Sequence, residues 1–131
     1  MVKVMSRAES TATAADAGTQ PLAEIKADLF KALGHPGRVR ILEVLAGGEH
    51  GVSELLELVG LESSHLSQQL GVLRRAGVVT ARREGSTVTY AVASAEVIEL
   101  LAVAKRFLVD DMRARQELLA ADDASPDERR R

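Results

Sequence analysis

The sequence contains no cysteine and no tryptophan. The absence of cysteine excludes disulfide bridges, thiolate metal sites, thiol-based switches and cysteine nucleophiles from the functions of this chain. No charged and then apolar secretory leader is visible at the N-terminus. Together these two absences make a reducing cytoplasm the expected location.

Aromatic residues are also scarce. Phe30, Tyr90 and Phe107 are the only ones in 131 residues, whereas 46% of the chain is hydrophobic and 27% is charged. The core of a single domain must therefore be built from aliphatic side chains, which suits helices packed on helices. Uninterrupted apolar stretches are only a few residues long, so we expect no membrane contact.

Positive charge is slightly outnumbered by negative charge, with 17 Lys and Arg against 19 Asp and Glu, and it is unevenly distributed. The net charge is −2, which by itself argues weakly against nucleic-acid binding. Four arginines are nevertheless close together in the sequence: Arg74, Arg75, Arg82 and Arg83. A local cluster of this kind can contact the phosphates of DNA whatever the net charge of the chain.

Composition divides the chain into three parts. Residues 1–20 are rich in Ala, Thr and Ser without apolar periodicity, and we expect a disordered arm there. Residues 122–131 are highly charged and include Pro126, which predicts a disordered tail. One ordered domain is expected over residues 21–121.

Aliphatic residues at helical spacing predict four helices in the first part of this domain. The first follows Pro21, the second ends at Gly47-Gly48, the third ends at the tight turn Gly60-Leu61, and the fourth begins near Ser63. Gly77 suits a left-handed cap at the end of the fourth helix.

Beyond Gly77 the apolar pattern changes to the two-residue period of β-strands. The inward side of one strand is expected to carry Val88, Tyr90 and Val92. Val78–Arg83 is the expected partner strand, and Glu84-Gly85-Ser86 forms the hairpin tip, where Gly85 serves the turn geometry. The predicted fold is mainly α with a small β-hairpin, a winged helix-turn-helix with the element order ααααββα.

A last helix is expected from Ser94, its N-cap, to about Ala121. One side of this helix carries a continuous apolar stripe formed by Val97, Leu101, Ala104, Leu108 and Met112. A body of this size cannot cover such a stripe alone. We therefore expect the helix to pack against a second copy of the chain.

The fourth helix has two different sides. Leu66, Leu70 and Leu73 point inward, whereas the opposite side carries Ser64, Gln68, Gly71 and Arg75. A helix fits the major groove of DNA, where glutamine suits adenine edges and glycine permits close approach. The alternative is an ordinary solvated side, which would more often carry Glu and Lys. The candidate DNA contacts on this helix are Ser63, Ser64, His65, Ser67, Gln68 and Gln69.

The arginine cluster completes the candidate DNA site. We expect at least two of Arg74, Arg75, Arg82 and Arg83 to contact phosphates, together with Gly85 and Ser86 at the hairpin tip. The alternative for Arg74 and Arg75 is a solvated position at a helix C-terminus, where the helix dipole favours cations. Arg38 and Arg40, early in the second helix, suit salt bridges as well as DNA contacts.

The three histidines lack the spacing of a shared metal site. His35 is expected to shape the turn before Pro36, and His65 to contact the groove or a phosphate, with helix packing as the alternative. No nucleophile elbow, phosphate loop or paired-carboxylate motif is present. We therefore predict no catalytic residue, no metal, no cofactor and no enzymatic activity.

Several stretches of the sequence resemble the ArsR/SmtB family of winged-helix repressors. These stretches are Leu29–Leu42 (LFKALGHPGRVRIL), Val52–Leu55, Ser63–Leu70, Leu73–Val79 and Arg82–Gly85, followed by Tyr90. The match covers about residues 25 to 93 in the family's order. The resemblance implies a homodimer built from the first and last helices, an imperfect palindromic operator, and release from DNA when an effector binds. On the first helix, the implied interface residues are Leu22, Ile25 and Leu29.

The sequence departs from the family's metal-sensing members. Their third-helix signature pairs two cysteines around a valine, and the matching positions here are Gly51 and Ser53. The last helix has no histidine for the family's other metal site. Asp110, Asp111 and Glu117 are of the type that holds hard cations, but such carboxylates on an exposed helix are usually solvated. The effector therefore remains unidentified and is not sensed by a thiol.

Two alternatives stay open at this point. A winged helix can serve protein–protein interaction, because a fold does not fix a function. The chain can also be a constitutive DNA binder without an effector. Weak duplex binding that is insensitive to salt would favour the first alternative.

Overall fold

A computed structural model describes residues 12–130, with side chains from 21 to 123. Within this range the chain forms five helices and three strands. They are α1 (Ala12–Leu33), α2 (Pro36–Ala46), β1 (His50–Gly51), α3 (Val52–Val59), α4 (Ser63–Arg75), β2 (Val79–Glu84), β3 (Thr87–Val92) and α5 (Ala95–Arg130). The elements through β3 form one compact unit and α5 forms another, with the division between Ala93 and Ser94. None of these helices combines the length and the apolar character needed to cross a membrane.

The core lies among α1 to α4 and the first residues of the hairpin, and it is entirely aliphatic, as predicted. Its completely buried side chains are Ile41, Leu42, Leu55, Leu66 and Leu73. They come from α2, α3 and α4, where apolar residues recur every three or four positions and so share one side of each helix. This packing fixes α3 and α4 as the two helices of a helix-turn-helix.

The sheet has one strand more than the sequence indicated. Its order is β1-β3-β2, with antiparallel neighbours. The predicted hairpin is present, with β2 and β3 paired from Val79 with Val92 to Glu84 with Thr87. His50 pairs with Tyr90 in the short strand β1. The predicted order ααααββα is therefore corrected to ααβααββα, because a strand of two residues is too short to show a period of two.

Two glycines end the helices of the helix-turn-helix as expected. Gly60 has φ +79° and closes α3, and Gly77 has φ +81° after α4. The amides of Gly77 and Val78 donate to the carbonyls of Arg74 and Leu73 at 3.0 and 3.1 Å. This pair of backbone hydrogen bonds is a Schellman motif, which requires a left-handed residue and therefore favours glycine.

Arg38 joins three helices. Its Nε and Nη2 atoms donate to the carbonyls of Ala32 and Lys31 at 2.6 and 3.2 Å, and its Nη1 donates to Gln69 Oε1 at 2.7 Å. The last carbonyls of α1 have no partner within that helix, so Arg38 supplies one. The choice that the sequence left open for Arg38, between a salt bridge and DNA, is thus resolved as a helix-capping role.

Both terminal helices extend further than we expected. Helix α1 begins at Ala12 and not after Pro21, so it overlaps the predicted arm, whose residues 1–11 lie outside the described range. In α5, Ser94 Oγ accepts from the amide of Glu96 at 3.0 Å, which confirms the predicted cap. This helix continues past Ala121 to Arg130, since no glycine follows Ala121 to end it. Disorder of residues 122–131 in solution stays a prediction.

Candidate nucleic-acid interface

The two sides of α4 differ as the sequence predicted. Leu66, Leu70 and Leu73 are at most 2% exposed. On the opposite side Ser64, Gln68 and Arg75 are exposed, and so are the flanking His65 and Ser67 and the first residue, Ser63. The apolar side fixes the helix to the core, and the polar side is left accessible to a ligand.

Gln69 differs from its neighbours on α4. It is only half exposed, and its carbonyl oxygen accepts the hydrogen bond from Arg38 Nη1. That bond holds Gln69 against α2 and occupies one of the atoms that would read a base. Gln68 is therefore the glutamine of this pair whose amide is fully available, and DNA contact by Gln69 stays a prediction.

A small cavity lies beside the polar side of α4. Its volume is about 180 Å³, and its lining is formed by His35, Leu61, His65, Gln68 and Gln69. His35 Nδ1 accepts from the amide of Gly37 at 3.0 Å and caps α2, which confirms its predicted role in the turn. His65 is exposed, and its contact with the groove or a phosphate stays a prediction.

The four clustered arginines fall into two groups. Arg82 is paired with two carboxylates: its Nη2 lies 2.7 Å from Glu49 Oε1, and its Nε lies 3.5 Å from Glu84 Oε2. Between residues 21 and 123, no carboxylate lies within ion-pair distance of Arg74, Arg75 or Arg83. The sequence did not reveal this difference, because Glu49 and Arg82 are far apart along the chain.

Two carboxylates near β1 have pKa values below their ordinary value. The hydrogen bond from Arg82 and then its charge lower the pKa of Glu49, and the same contact raises the pKa of Arg82. The pKa of Glu54 is lowered by the hydrogen bond with His50, at 3.0 Å, and by the amide of Gly51. Both glutamates thus help to hold β1 against its neighbours in their ionised form.

These lowered values predict acid sensitivity. A carboxylate whose folded pKa is depressed stabilises the fold above its unfolded pKa, and this stabilisation is lost as pH falls through the folded value. The free energy of unfolding should therefore decline below about pH 4.5, the ordinary value of both groups. Denaturant titrations of wild type and the Glu49→Gln, Glu54→Gln double variant between pH 3 and 7 measure this. The variant should lose less stability on acidification, and equal losses would contradict the assignment.

The hairpin tip is accessible. Gly85 has φ +63°, which confirms its predicted role in the turn, and both Gly85 and Ser86 are exposed. Arg83 lies next to this tip in β2 and is exposed as well. The tip therefore presents backbone, a hydroxyl and a cation to any ligand that lies along α4 and the hairpin.

Large apolar side chains are exposed on α1 and, separately, on α5. On α1 the exposed fractions are 49% for Leu22 and 62% for Ile25, while Leu29 is half buried. On α5 they are 54% for Leu108 and 57% for Met112. Of the other predicted interface residues, Val97 and Leu101 are half buried and Ala104 is exposed. Phe30 and Phe107, which we did not predict for the interface, are exposed too.

The carboxylates of α5 up to Asp123 do not form a metal-type cluster. Asp111 pairs with Arg115 at 3.1 Å, one turn further along the helix. In the part of the chain that the structure describes, no three His, Asp or Glu side chains come together as cation ligands.

The part of the chain that contains the helix-turn-helix is similar to known regulatory proteins. Residues 35–81, which include α2, α3 and α4, match the family model for bacterial regulatory proteins of the arsR family. The HTH-type transcriptional regulator Rv0081 of Mycobacterium tuberculosis is 57% identical over 91 residues, which are 69% of this chain and 80% of that protein. The chain belongs to the ArsR family. The family and the winged helix-turn-helix fold predicted from the sequence are thereby confirmed.

Two solved structures and a further relative are also similar to this chain. The crystal structure of Rv0081 has a TM-score of 0.68 at 55% identity and covers 72% of this chain and 96% of its own. The solution structure of Mb0332 from Mycobacterium bovis, described as a homodimeric winged helix-turn-helix DNA-binding domain, has a TM-score of 0.67 at 31% identity, covering 72% and 87%. The biofilm growth-associated repressor of Xylella fastidiosa is 40% identical over 75 residues, 57% of this chain and 66% of that protein. This ArsR-family chain is therefore a transcriptional regulator of the DNA-binding winged helix-turn-helix type.

Proposed function

We propose that the chain is a homodimeric repressor that recognises specific duplex DNA through α4 and the β2–β3 hairpin. The observation that carries the proposal is the arrangement of α4, in which buried leucines fix the helix and Ser64, Gln68 and Arg75 stay exposed. A helix presented in this way fits the major groove, where each base pair shows a different pattern of donors and acceptors. Such a regulator acts where the chromosome lies, in the cytoplasm.

Gln68 is the residue best suited to read a base on this helix. Its amide offers a donor and an acceptor side by side, which matches N7 and N6 of adenine. The flanking residues Ser64, His65 and Ser67 are exposed and short or adaptable, so they do not hold the helix away from the base edges. Gln69 takes part through the amide nitrogen that Arg38 leaves open.

Phosphate contacts come from the cations beside this helix. Arg74 and Arg83 are exposed and lie outside ion-pair distance of the carboxylates between residues 21 and 123. With the tip residues Gly85 and Ser86 they position the protein along the backbone without reading sequence. Arg82 contributes less, because Glu49 and Glu84 already neutralise it.

Dimerisation follows from the exposed apolar residues of α1 and α5. Large hydrophobic side chains at adjacent turns of a helix mark a surface that another protein covers. The homodimeric state given for Mb0332 supports a second copy of the chain as that partner. Two copies place two α4 helices in successive major grooves, so the half-sites of an imperfect palindrome should lie about 34–36 Å apart.

Repression is supported by the name of a relative, whereas release by an effector is what the family resemblance implies. The Xylella fastidiosa protein is named as a repressor, and the effector proposed for our chain cannot act through a thiol because the sequence contains no cysteine. Constitutive DNA binding without an effector is the alternative. Titrating the protein with its own upstream DNA, with and without metal ions, tests whether a metal is the effector, and release of the DNA by a metal would contradict constitutive binding.

The test of DNA recognition is selection from a randomised duplex library, followed by binding titrations of the selected duplex at several salt concentrations. We expect one preferred sequence with two related half-sites, and affinity that falls steeply with salt as counterions are released. Weak binding that does not change with salt and shows no preferred sequence would contradict the proposal and favour a protein–protein interaction module.

Arg82 is paired with Glu49 whereas Arg83 has no carboxylate partner between residues 21 and 123, and this difference predicts two opposite changes in DNA binding. Glu49→Gln releases Arg82 from its bidentate partner, so the slope of log affinity against log salt should steepen by up to about 0.9. Arg83→Ala removes an unpaired cation and should weaken all duplexes alike, with a slope shallower by a similar amount. Fluorescence anisotropy with the selected duplex and a scrambled duplex measures both effects.

The control for this pair is Glu49→Gln combined with Arg82→Ala. If the gain comes from Arg82, the double variant should lose it and bind as weakly as Arg82→Ala alone. A gain that persists without Arg82 would show that Glu49 acts only by repelling the DNA backbone.

A further inference from the structure

Arg75 does not extend away from the end of α4 but lies back along it, over Gly71. A Cβ atom placed on Gly71 would be 3.3 Å from Arg75 Nη1, 3.9 Å from Cζ and 4.0 Å from Nη2. The three atoms at similar distance show that the guanidinium covers the position where a side chain at residue 71 would begin. Gly71 is half buried for the same reason, although it lies on the polar side of the helix.

This placement moves the charge of Arg75 from the end of α4 to its middle. Residues four apart are neighbours on a helix, and long side chains lean toward the N-terminal turn. The guanidinium therefore lies at the level of Gly71, three residues from Gln68. That separation is about 4.5 Å along the helix axis, close to the spacing of about 3.4 Å between neighbouring bases of one strand.

We propose that Gly71 is a specificity-determining residue. Because it has no side chain, the guanidinium of Arg75 lies over it and is positioned to read a guanine. The planar fork of arginine matches O6 and N7 of guanine with two parallel hydrogen bonds. This inference rests on the proposed DNA recognition by α4 and adds to it a base and a position. The guanine lies one or two base pairs from the base that Gln68 reads.

Two further features of the site support this proposal, and the second of them separates base reading from phosphate contact. No carboxylate between residues 21 and 123 lies within ion-pair distance of Arg75, so its donors are not already used. Glycine also weakens a helix interior relative to alanine, since it has more backbone freedom to lose on folding. A cation that only touched phosphate from the helix end would not need a glycine at residue 71.

The test begins with the duplex that wild-type protein selects from a randomised library. Each guanine in a half-site is replaced in turn by 7-deazaguanine, which lacks the N7 acceptor but keeps normal base pairing. Wild type should lose roughly 10-fold in affinity at one guanine per half-site. Arg75→Ala should be insensitive at that guanine, because it leaves no donor for N7.

Arg74→Ala is the matched control, because it removes the same charge from the adjacent position, which is also exposed. It should weaken binding to every duplex and keep the sensitivity to 7-deazaguanine. If Arg75→Ala keeps that sensitivity while wild type still prefers one sequence, the assignment to Arg75 is wrong and the proposed function stands. If wild type shows no sequence preference at all, the proposed function itself has failed.

Gly71→Ala tests whether the absence of a side chain at residue 71 positions the guanidinium of Arg75. The new Cβ requires Arg75 Nη1 to move by a few tenths of an ångström. The preference for guanine over 7-deazaguanine should therefore fall by at least about threefold, whereas the thermal midpoint should not fall, since alanine is the better helix former. In the Arg75→Ala background the same substitution should change nothing further. An equal loss of affinity in both backgrounds would show that Gly71 only lets the helix approach DNA. That result would overturn its role in positioning Arg75.

Discussion

Replacing Leu108 by Glu is expected to convert the homodimer into monomers and to lower affinity for a two-half-site duplex by about 100-fold or more. Leu108 is 54% exposed on α5 and belongs to the predicted apolar stripe. A carboxylate that must be buried against a partner without a counter-charge is strongly unfavourable. Once the two copies separate, the second recognition helix no longer binds at high effective concentration, a gain that is typically about 10²–10⁴-fold.

The matched control is Val103→Glu, which places the same charge on the opposite side of α5. Val103 is 49% exposed, so the two substitutions start from similar accessibility. Light scattering and anisotropy should show wild-type behaviour for this control. A duplex with one half-site should bind the Leu108→Glu variant and the wild type with similar affinity per subunit. A Leu108→Glu protein that stays dimeric would contradict the interface assigned to α5.

Replacing Gln68 by Ala is expected to reduce discrimination between the selected duplex and its single-base variants. The loss should be about 1–3 kcal/mol at one base pair per half-site, roughly 5- to 150-fold, if Gln68 makes a bidentate contact. The fold should not change, because the side chain is exposed and makes no hydrogen bond within residues 21–123. Competition titrations with duplexes that differ at single positions measure the effect.

Gln69→Ala supplies a control with the same chemistry at the next residue. Gln69 accepts from Arg38 Nη1, so its loss leaves a charged donor without a protein partner and should cost about 0.5–3 kcal/mol of stability. Its effect on base preference should be the smaller of the two. If Gln69→Ala relaxes the base preference and Gln68→Ala does not, the two glutamines have been assigned the wrong way round.

The parts of the fold that were predictable from sequence are those with long and regular patterns. Leu66, Leu70 and Leu73 recur at helical spacing and are buried, and Val88, Tyr90 and Val92 alternate in a strand that is present. Local signals at the helix ends were equally informative, because Gly60 and Gly77 adopt the left-handed conformation that their positions require.

The N-terminal part of α1 was missed because its helical signal is of a different kind. The residues before Pro21 are rich in alanine, which has a high helix propensity without forming an apolar stripe. We interpreted the missing stripe as disorder, whereas the backbone is helical from Ala12. Pro21 lies inside this helix and does not begin it.

The polar contacts of the candidate site were not predictable because they join distant parts of the chain. Arg82 with Glu49, and Arg38 with Gln69, are pairs that no spacing rule brings together. These contacts matter for the site because Arg82 is then less available to contact a phosphate, and Gln69 is less available to read a base. The contact of Arg75 with Gly71 is different, because a separation of four residues on a helix is a signal that the sequence does contain.

The absence of cysteine permits a direct measurement of the central claim, that the polar side of α4 lies in the DNA groove. Single variants Ser64→Cys and, as control, Glu99→Cys on α5 each carry one thiol at an exposed position. Their alkylation rates by a maleimide are compared with and without the selected duplex. We predict strong protection at residue 64 and none at residue 99. Equal alkylation of residue 64 in free and DNA-bound protein would contradict the account.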